Sequence, residues 1–331
     1  MSRGEKMEVK EVKVNEVFPK ITGKPGELIV PTGVFDPSNP EDQKLLTLVP
    51  TEDPDYLFPG VHVIALLVTI QERDNALIWG STGVGKSMIA MQLGNKLNLP
   101  VTRINFQGEM GSPEIFGYFG LTNPNIEGDD GWKWTALIKG IQRPGIVLLD
   151  EWDAIRPEVG IGLQRLLEDH SPGIFLPERD EFIPRHKDCV VMATANTRGL
   201  GDATGLYTGT GTQNFAQLNR FHVIIEMEPL AKDKMQTILE KVQFHGAHLK
   251  PALVKALVEF YGLALNAHKQ DKLAAPISVR TMLHFARYFQ LLGHGALELA
   301  LLSKLASDQE KVAVQQLADR VGLVDPKAKS S

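Results

Sequence analysis

A single cysteine, Cys189, stands among 331 residues. With no second thiol there is no internal disulfide, and no metal-type Cys/His spacing surrounds it. Cys189 opens the apolar run CVVMATAN, which marks a buried strand residue and not a reactive thiol. The nine histidines are scattered and form no ligand pair. No apolar run is long enough for a membrane helix: the most apolar stretch, VHVIALLVTI, is about half a span and stops at Gln71-Glu72-Arg73. The opening MSRGEKMEVKEVKV alternates charge with valine and lacks the apolar core of a signal peptide. A soluble, cytoplasmic protein is the expectation. Acidic side chains are in only small excess. With 35 basic and 40 acidic side chains the net charge is −5, which leaves no global attraction to nucleic acid or anionic membrane. Only a local basic groove would serve such a partner.

What is present is an ordinary globular balance, 43% hydrophobic and 23% charged, with ample material for a core. The length suits about two domains. Residues 1–56 are rich in proline, glycine and acid, which predicts an extended arm with one short strand at EVKVNEVF. Residues 57–229 begin with a helix, VHVIALLVTIQER. Short apolar runs then alternate with helical patterns: NALIW, SMIAMQLGNKL, VTRINF, GIVLLD, VGIGLQRLLED, CVVMATA and HVIIEM. That alternation predicts an α/β domain, a parallel sheet flanked by helices. Beyond Pro229 the strand signals stop, and 230–322 carry apolar residues at helical spacing in KDKMQTILEKVQFHG, ALVKALVEFYGLAL, VRTMLHFARYFQLL and ALELALLSKLA. This is an all-helical second domain, followed by a tail over 323–331.

The run GSTGVGKS fits a phosphate-binding loop and stands between a strand-like segment and a helical one, the setting that motif requires. Gly80, Ser81, Thr82, Gly83, Val84, Gly85, Lys86, Ser87 and Met88 form the candidate ATP site. Backbone N–H groups wrap the phosphates, Lys86 supplies positive charge to the β and γ oxygens, and the Ser87 hydroxyl suits Mg²⁺. GIVLLDEWD places Asp150 and Glu151 at the C-terminal end of a buried strand, where ligands of open α/β sheets bind. Asp150 suits the metal shell, and Glu151 the orientation and deprotonation of an attacking water. VVMATANT ends in Asn196, an amide suited to sit between the γ-phosphate and that water. Asn105, ending VTRINF, either restrains Glu151 or serves a simple turn.

The run GLYTGTGTQNFAQLNRF is small, polar and uncharged until Arg220, and it precedes the strand HVIIEM. An arginine before that strand projects toward a neighbouring subunit. There a guanidinium stabilises charge on a transferring phosphoryl group, an effect of about 10³–10⁵ in rate. Arg280, in PISVRTML, opens a helix of the second domain and either reaches the nucleotide or forms a helix-surface ion pair. Two insertions complete the pattern. GDDGWKWTALIKGI carries Trp132 and Trp134 alternating with polar neighbours, as in a half-buried strand. SPGIFLPERDEFIPRHKD has apolar residues flanking the turn PERDE, as in a β-hairpin.

These motifs in this order resemble the AAA+ P-loop ATPases, and the two insertions resemble the branch with MoxR proteins and chelatase motor subunits. DPDYLF, DEWDAIRPEV with LQRLLE, ATANTRGLGDATGLYTGT and QNFAQLNRF resemble the CobS family of cobaltochelatase ATPase subunits. VNEVF and SVRTM extend the likeness over nearly the whole chain. The resemblance implies an AAA+ sheet with β-hairpin insertions and a helical lid domain. It assigns phosphate and Mg²⁺ to Lys86 and Ser87, metal and water to Asp150 and Glu151, a first sensor to Asn196, a finger acting in trans to Arg220 and a second sensor to Arg280. It also implies a hexameric ring with ATP between subunits, a von Willebrand A-type (CobT-like) partner and a large chelatase subunit, inserting cobalt into a corrin-ring precursor in aerobic cobalamin synthesis. The chain departs from the family at Ser81-Thr82, at Asn219 and Phe221 beside the finger, and at Val279; no catalytic group is lost. A MoxR-like chaperone for another von Willebrand A protein and a nucleotide-gated or nucleic-acid-associated ring are the rival readings.

Overall fold

The computed structural model describes residues 7–122, 130–197, 218–305 and 307–324. The segment GLGDATGLY and most of the polar run before Arg220 lie outside them. The chain divides into two compact units: Met1–Asp53, Phe58–Gly80 and Lys86–Glu226 form the first, and Pro54–Leu57, Ser81–Gly85 and Met227–Ser331 the second. The expected border after 229 is close to the end of the first unit, but the middle of the phosphate loop groups with the helices.

The elements of the first unit run β1 (Glu8–Lys13), α1 (Val14–Val17), β2 (Ile29–Val34), α2 (Pro40–Leu46), α3 (Gly60–Glu72), β3 (Asn75–Trp79), α4 (Lys86–Lys96), β4 (Val101–Asn105), α5 (Ser112–Phe116), β5 (Gly117–Phe119), β6 (Trp132–Trp134), α6 (Ala136–Ile141), β7 (Gly145–Asp150), α7 (Pro157–Leu163), β8 (Gly173–Leu176), β9 (Glu181–Pro184), β10 (Cys189–Ala195) and β11 (Val223–Glu226). Five of the strands form one sheet in the order β11-β3-β10-β7-β4, and every pairing is parallel. Parallel strands covered on both faces read as continuous apolar runs. β7 and β10 accordingly bury every residue. Cys189 is fully buried, and burial pushes its thiol up to about 12, which leaves it inert. Leu77, Leu149, Val191 and Ala193 pack with Phe106, Trp152, Leu166 and Phe221 into the main core.

The strand expected at EVKVNEVF is only half a strand. β1 covers Glu8–Lys13 and pairs antiparallel with β2, and the chain then turns into α1 at Val14, which is fully buried. Nor do residues 7–53 hang free. Val30 and Leu45 are in the core, and Val101 N–H at the start of edge strand β4 donates to Leu48 O at 2.9 Å. On α4, Gln92 Nε2 donates to Thr51 O at 3.1 Å and Asn95 Nδ2 to Pro50 O at 2.7 Å. Amide side chains facing unpaired carbonyls make an irregular segment part of the α/β body, a pairing invisible in composition.

Both insertions are hairpins, β5 with β6 and β8 with β9, the second turning through Asp180 in the left-handed region at φ 50°. Trp132 is buried, in keeping with a strand residue. Arg179 from the β8–β9 turn lies over the rings of Trp132 and Trp134, 5.4 and 5.2 Å from their centroids, and pairs with Asp130 at 2.6 Å. The two insertions are thereby clasped together.

In the second unit, α8 (Lys232–Lys241), α9 (Pro251–Lys269), α10 (Val279–Leu292), α11 (Ala296–Ala300) and α12 (Asp308–Arg320) surround Leu257, Phe260, Tyr261, Met282 and Phe285. A two-strand turn at Gln243–Phe244 and Ala247–His248 interrupts the helices. α12 begins with a capping box in which Ser307 and Glu310 satisfy each other's backbone N–H groups. Among the described residues no helix is long and apolar enough to cross a membrane.

Candidate nucleotide site

β3 ends at Trp79 and the chain enters the loop at Gly80, whose N–H donates to Ala195 O at the end of β10. Gly80, Gly83 and Gly85 have φ of 148°, 82° and 100°, a region that side-chain-bearing residues avoid. Gly83 has a second constraint: a Cβ there would lie 2.4 Å from Ser278 Cβ. Ser278 caps α10 by accepting from Thr281 N–H, so the loop and the first turn of α10, which carries exposed Arg280, approach within the second unit. Ser81, Thr82 and Val84 complete the loop, with Thr82 exposed and the others half-buried; Met88 in the first turn of α4 is half-buried as well.

α4 starts at Lys86, which is only 8% exposed. Its Nζ donates to Gly80 O at 2.7 Å and to Asn196 Oδ1 at 2.8 Å. Burial lowers the ammonium to about 8, against the opposing pull of Asp153, Asp150 and Glu151. A buried ammonium suits an anionic ligand.

Ser87 Oγ donates to Asp150 Oδ1 at 2.8 Å. Asp150, 2% exposed, is held on the same oxygen by the Thr194 hydroxyl and on Oδ2 by Arg103, whose Nε donates at 2.6 Å and whose Nη2 also contacts it. The Thr194 hydroxyl in turn accepts from Glu151 N–H at 3.2 Å. Glu151 is exposed and left-handed, φ 58° and ψ 44°, a conformation costing about 1–2 kcal/mol in a residue with a side chain. The chain turns sharply there, with Glu151 exposed and Asp150 buried.

Asp153 supplies a further constraint. Its Oδ2 accepts from Asn196 N–H at 2.9 Å, Thr197 N–H at 2.8 Å and the Thr197 hydroxyl at 3.0 Å. It is 1% exposed and fixes the end of β10, from which Asn196 reaches Lys86.

Lys86 is thus bonded to Asn196 and the adjacent Ser87 to Asp150, with Glu151 next in the chain. Asn105 is the register partner of Asp150, exposed, and bonded to neither Glu151 nor any other described side chain. Arg220 is elsewhere. Its carbonyl accepts from Asn75 Nδ2 at 3.2 Å, at the N-terminal end of β3, while the phosphate loop follows the C-terminal end. Five strand residues, about 16 Å, separate the two ends. The Arg220 guanidinium is 3.9 Å from Glu168 and about a quarter exposed. Below it, Arg185 donates to Asn75 Oδ1 at 2.7 Å and to the carbonyls of Leu166 and Arg73.

Arg103, Asp153 and Thr194 escape sequence reasoning. The signals are faint: a cation in the alternating strand VTRINF, the second aspartate of DEWD, and a lone hydroxyl in CVVMATA. A hydroxyl and a carboxylate side by side fit a hard cation that keeps most of its shell as water and phosphate oxygen. Among the described residues no cluster of three or more His, Cys, Asp or Glu could hold a metal without a ligand's help.

Residues 75–241 match the AAA domain (dynein-related subfamily). The chain is 32% identical over 251 residues to the aerobic cobaltochelatase subunit CobS of a Sinorhizobium species, covering 74% of each protein. It is 26% identical over 265 residues to midasin of Dictyostelium discoideum, 76% of this chain but 4% of that much longer one. A solved structure of an ATPase from Cytophaga hutchinsonii aligns at TM-score 0.44 with 16% identity, covering 84% of this chain and 92% of that one. The domain match spans half the chain and the likeness to CobS three quarters of it: the chain belongs to the AAA+ ATPases, nucleotide-binding proteins that hydrolyse ATP.

Proposed function

We propose that this chain is the motor subunit of a cobaltochelatase-like complex, an ATP-hydrolysing ring that drives cobalt insertion into a corrin-ring precursor through a von Willebrand A-type partner. The likeness to CobS over 74% of both chains carries this reading. Cobalt and the corrin are the partners' substrates. The motor works on protein.

In this reading the loop from Gly80 to Met88 wraps the triphosphate, and Lys86 exchanges its bonds to Gly80 O and Asn196 Oδ1 for phosphate oxygens. Ser87 and Asp150 hold Mg²⁺, which when bound neutralises charge on the β and γ oxygens. Glu151 orients the attacking water and accepts its proton, and Asn196, freed from Lys86, spans the γ-phosphate and that water. Arg220 stands at the sheet end away from its own loop, so it completes the pocket of the next protomer. A ring, six protomers by the family's habit, supplies that neighbour. Arg280 turns lid motion into a report of the γ-phosphate, and Asn105, which makes no bond to Glu151, keeps only the role of a strand-end residue.

The test is reconstitution with a von Willebrand A-type subunit and a large chelatase subunit. Cobalt insertion that needs this chain and ATP, and fails with Glu151→Gln, is expected. Insertion at the same rate without the chain contradicts the role. A second reading is favoured by the likeness to midasin, which places the same module in a protein of another name: a MoxR-like remodeller of a different von Willebrand A protein. Co-purification recovering such a protein with no chelatase subunit selects it.

A further inference from the structure

Arg103 belongs to no motif, yet it makes the only ion pair to the metal-side carboxylate among the described residues. Asp150 is 2% exposed, and a carboxylate so far from water requires a countercharge. Lys86 is engaged with Gly80 O and Asn196. The Arg103 guanidinium bonds Oδ2, while Ser87 and Thr194 hydroxyls take Oδ1. The two oxygens are thus divided, with Oδ1 facing the hydroxyl that suits a metal and Oδ2 facing a fixed cation. Arg103 lies on edge strand β4, and its side chain is half exposed, so it is no part of the core.

We propose that Arg103 is the resident counter-ion of Asp150, a positioning residue that compensates the carboxylate in the ligand-free pocket and weakens the pocket's hold on Mg²⁺. A guanidinium on one oxygen of Asp150 and a divalent cation at the other repel, an effect that the half exposure of Arg103 weakens without removing. The metal need not displace Arg103; it binds less tightly because Arg103 is there. Two effects compete when the arginine is removed: the charge is lost, and so is one restraint on the carboxylate. The charge effect wins, because Ser87 and Thr194 still fix Oδ1. The consequence is a pocket that lets the metal leave with the spent nucleotide.

The inference rests on Ser87 and Asp150 forming the metal side of the nucleotide site, and the experiment separates the two. Binding of a fluorescent, non-hydrolysable ATP analogue to the full chain is followed as free Mg²⁺ is titrated, and melting is recorded in EDTA and with Mg²⁺ plus analogue. Arg103→Gln is expected to lower the half-saturating Mg²⁺ roughly three- to tenfold. It should also lower the melting temperature in EDTA and raise the Mg²⁺-dependent part of the ligand-induced melting shift. Arg103→Lys, which keeps the charge, should stay near wild type. Thr194→Val, which loosens Oδ1 without changing charge, should raise the half-saturating Mg²⁺. If the wild type shows no Mg²⁺ dependence, the metal-side assignment fails. If the wild type depends on Mg²⁺ while Arg103→Gln leaves the half-saturation unchanged or raises it, the counter-ion role is overturned.

Discussion

The side-chain amide of Asn75 donates to the main-chain carbonyl of Arg220, tying the arginine to the end of β3 opposite the phosphate loop. The same amide group donates to Leu167 O at 2.9 Å and accepts from Arg185. Asn75→Ala takes one acceptor from the buried Arg185 guanidinium, which keeps Leu166 O and Arg73 O, and the shared amide donor from two carbonyls; a loss of about 2–4 kcal/mol is expected in denaturant unfolding. A change under about 0.5 kcal/mol would show that water replaces the amide there.

Lys86 is depressed to about 8 by burial, below its unfolded value near 10.5. Between these values the unfolded chain binds more protons than the folded one, so this group's contribution to stability rises with pH from about 8 to 10.5 and is flat outside that window. Subtracting the profile of Lys86→Met from that of the wild type should isolate a gain of up to about 3 kcal/mol. Nucleotide affinity runs the other way, because phosphate needs the charged form: it should fall as pH rises past 8, by up to about tenfold per unit. A flat affinity between pH 7 and 9.5 would contradict the buried ammonium.

Asp153 both braces Asn196 and favours the charged form of Lys86. Asp153→Asn retains one acceptor oxygen and loses the charge. The pH at which nucleotide affinity declines should therefore move down, and ATP turnover should fall about 10²-fold as Asn196 loses its position. Reduced turnover with an unmoved pH profile would leave Asp153 a purely structural role.

Gly83 is constrained twice, by φ 82° and by the Ser278 Cβ. Gly83→Ala should bind nucleotide at least about tenfold more weakly, because either the loop or the start of α10 must shift. Gly60→Ala, where a Cβ meets nothing within 4 Å, is the matching control and should bind as wild type.

The residues proposed to hold phosphate and metal stand out in the sequence because that chemistry dictates their spacing: glycines where the backbone must approach, a lysine and hydroxyl at a helix start, acids at a strand end. The parallel sheet was legible for a similar reason, since strands buried on both faces must be apolar throughout. What sequence reasoning left out depends on contacts between distant segments. Asp153 is braced 43 residues from Asn196, and Arg103 lies 47 from Asp150. The half-strand at EVKVNEVF, the docking of 48–53 on α4 and β4, and the cap at Ser307 are likewise settled by which carbonyls remain to be satisfied, a question periodicity does not pose.

The central claim is that each protomer's pocket is finished by its neighbour's Arg220. Arg220→Ala alone should bind ATP normally and lose about 10³-fold or more in turnover, and Glu151→Gln alone should bind without turning over. ATPase rate is then measured as the two inactive proteins are mixed across all ratios. In a mixed ring a Glu151→Gln protomer still offers its arginine to an Arg220→Ala neighbour with an intact carboxylate, so partial recovery peaking at intermediate ratios is expected. No recovery at any ratio, in rings shown to exchange subunits, would contradict the account.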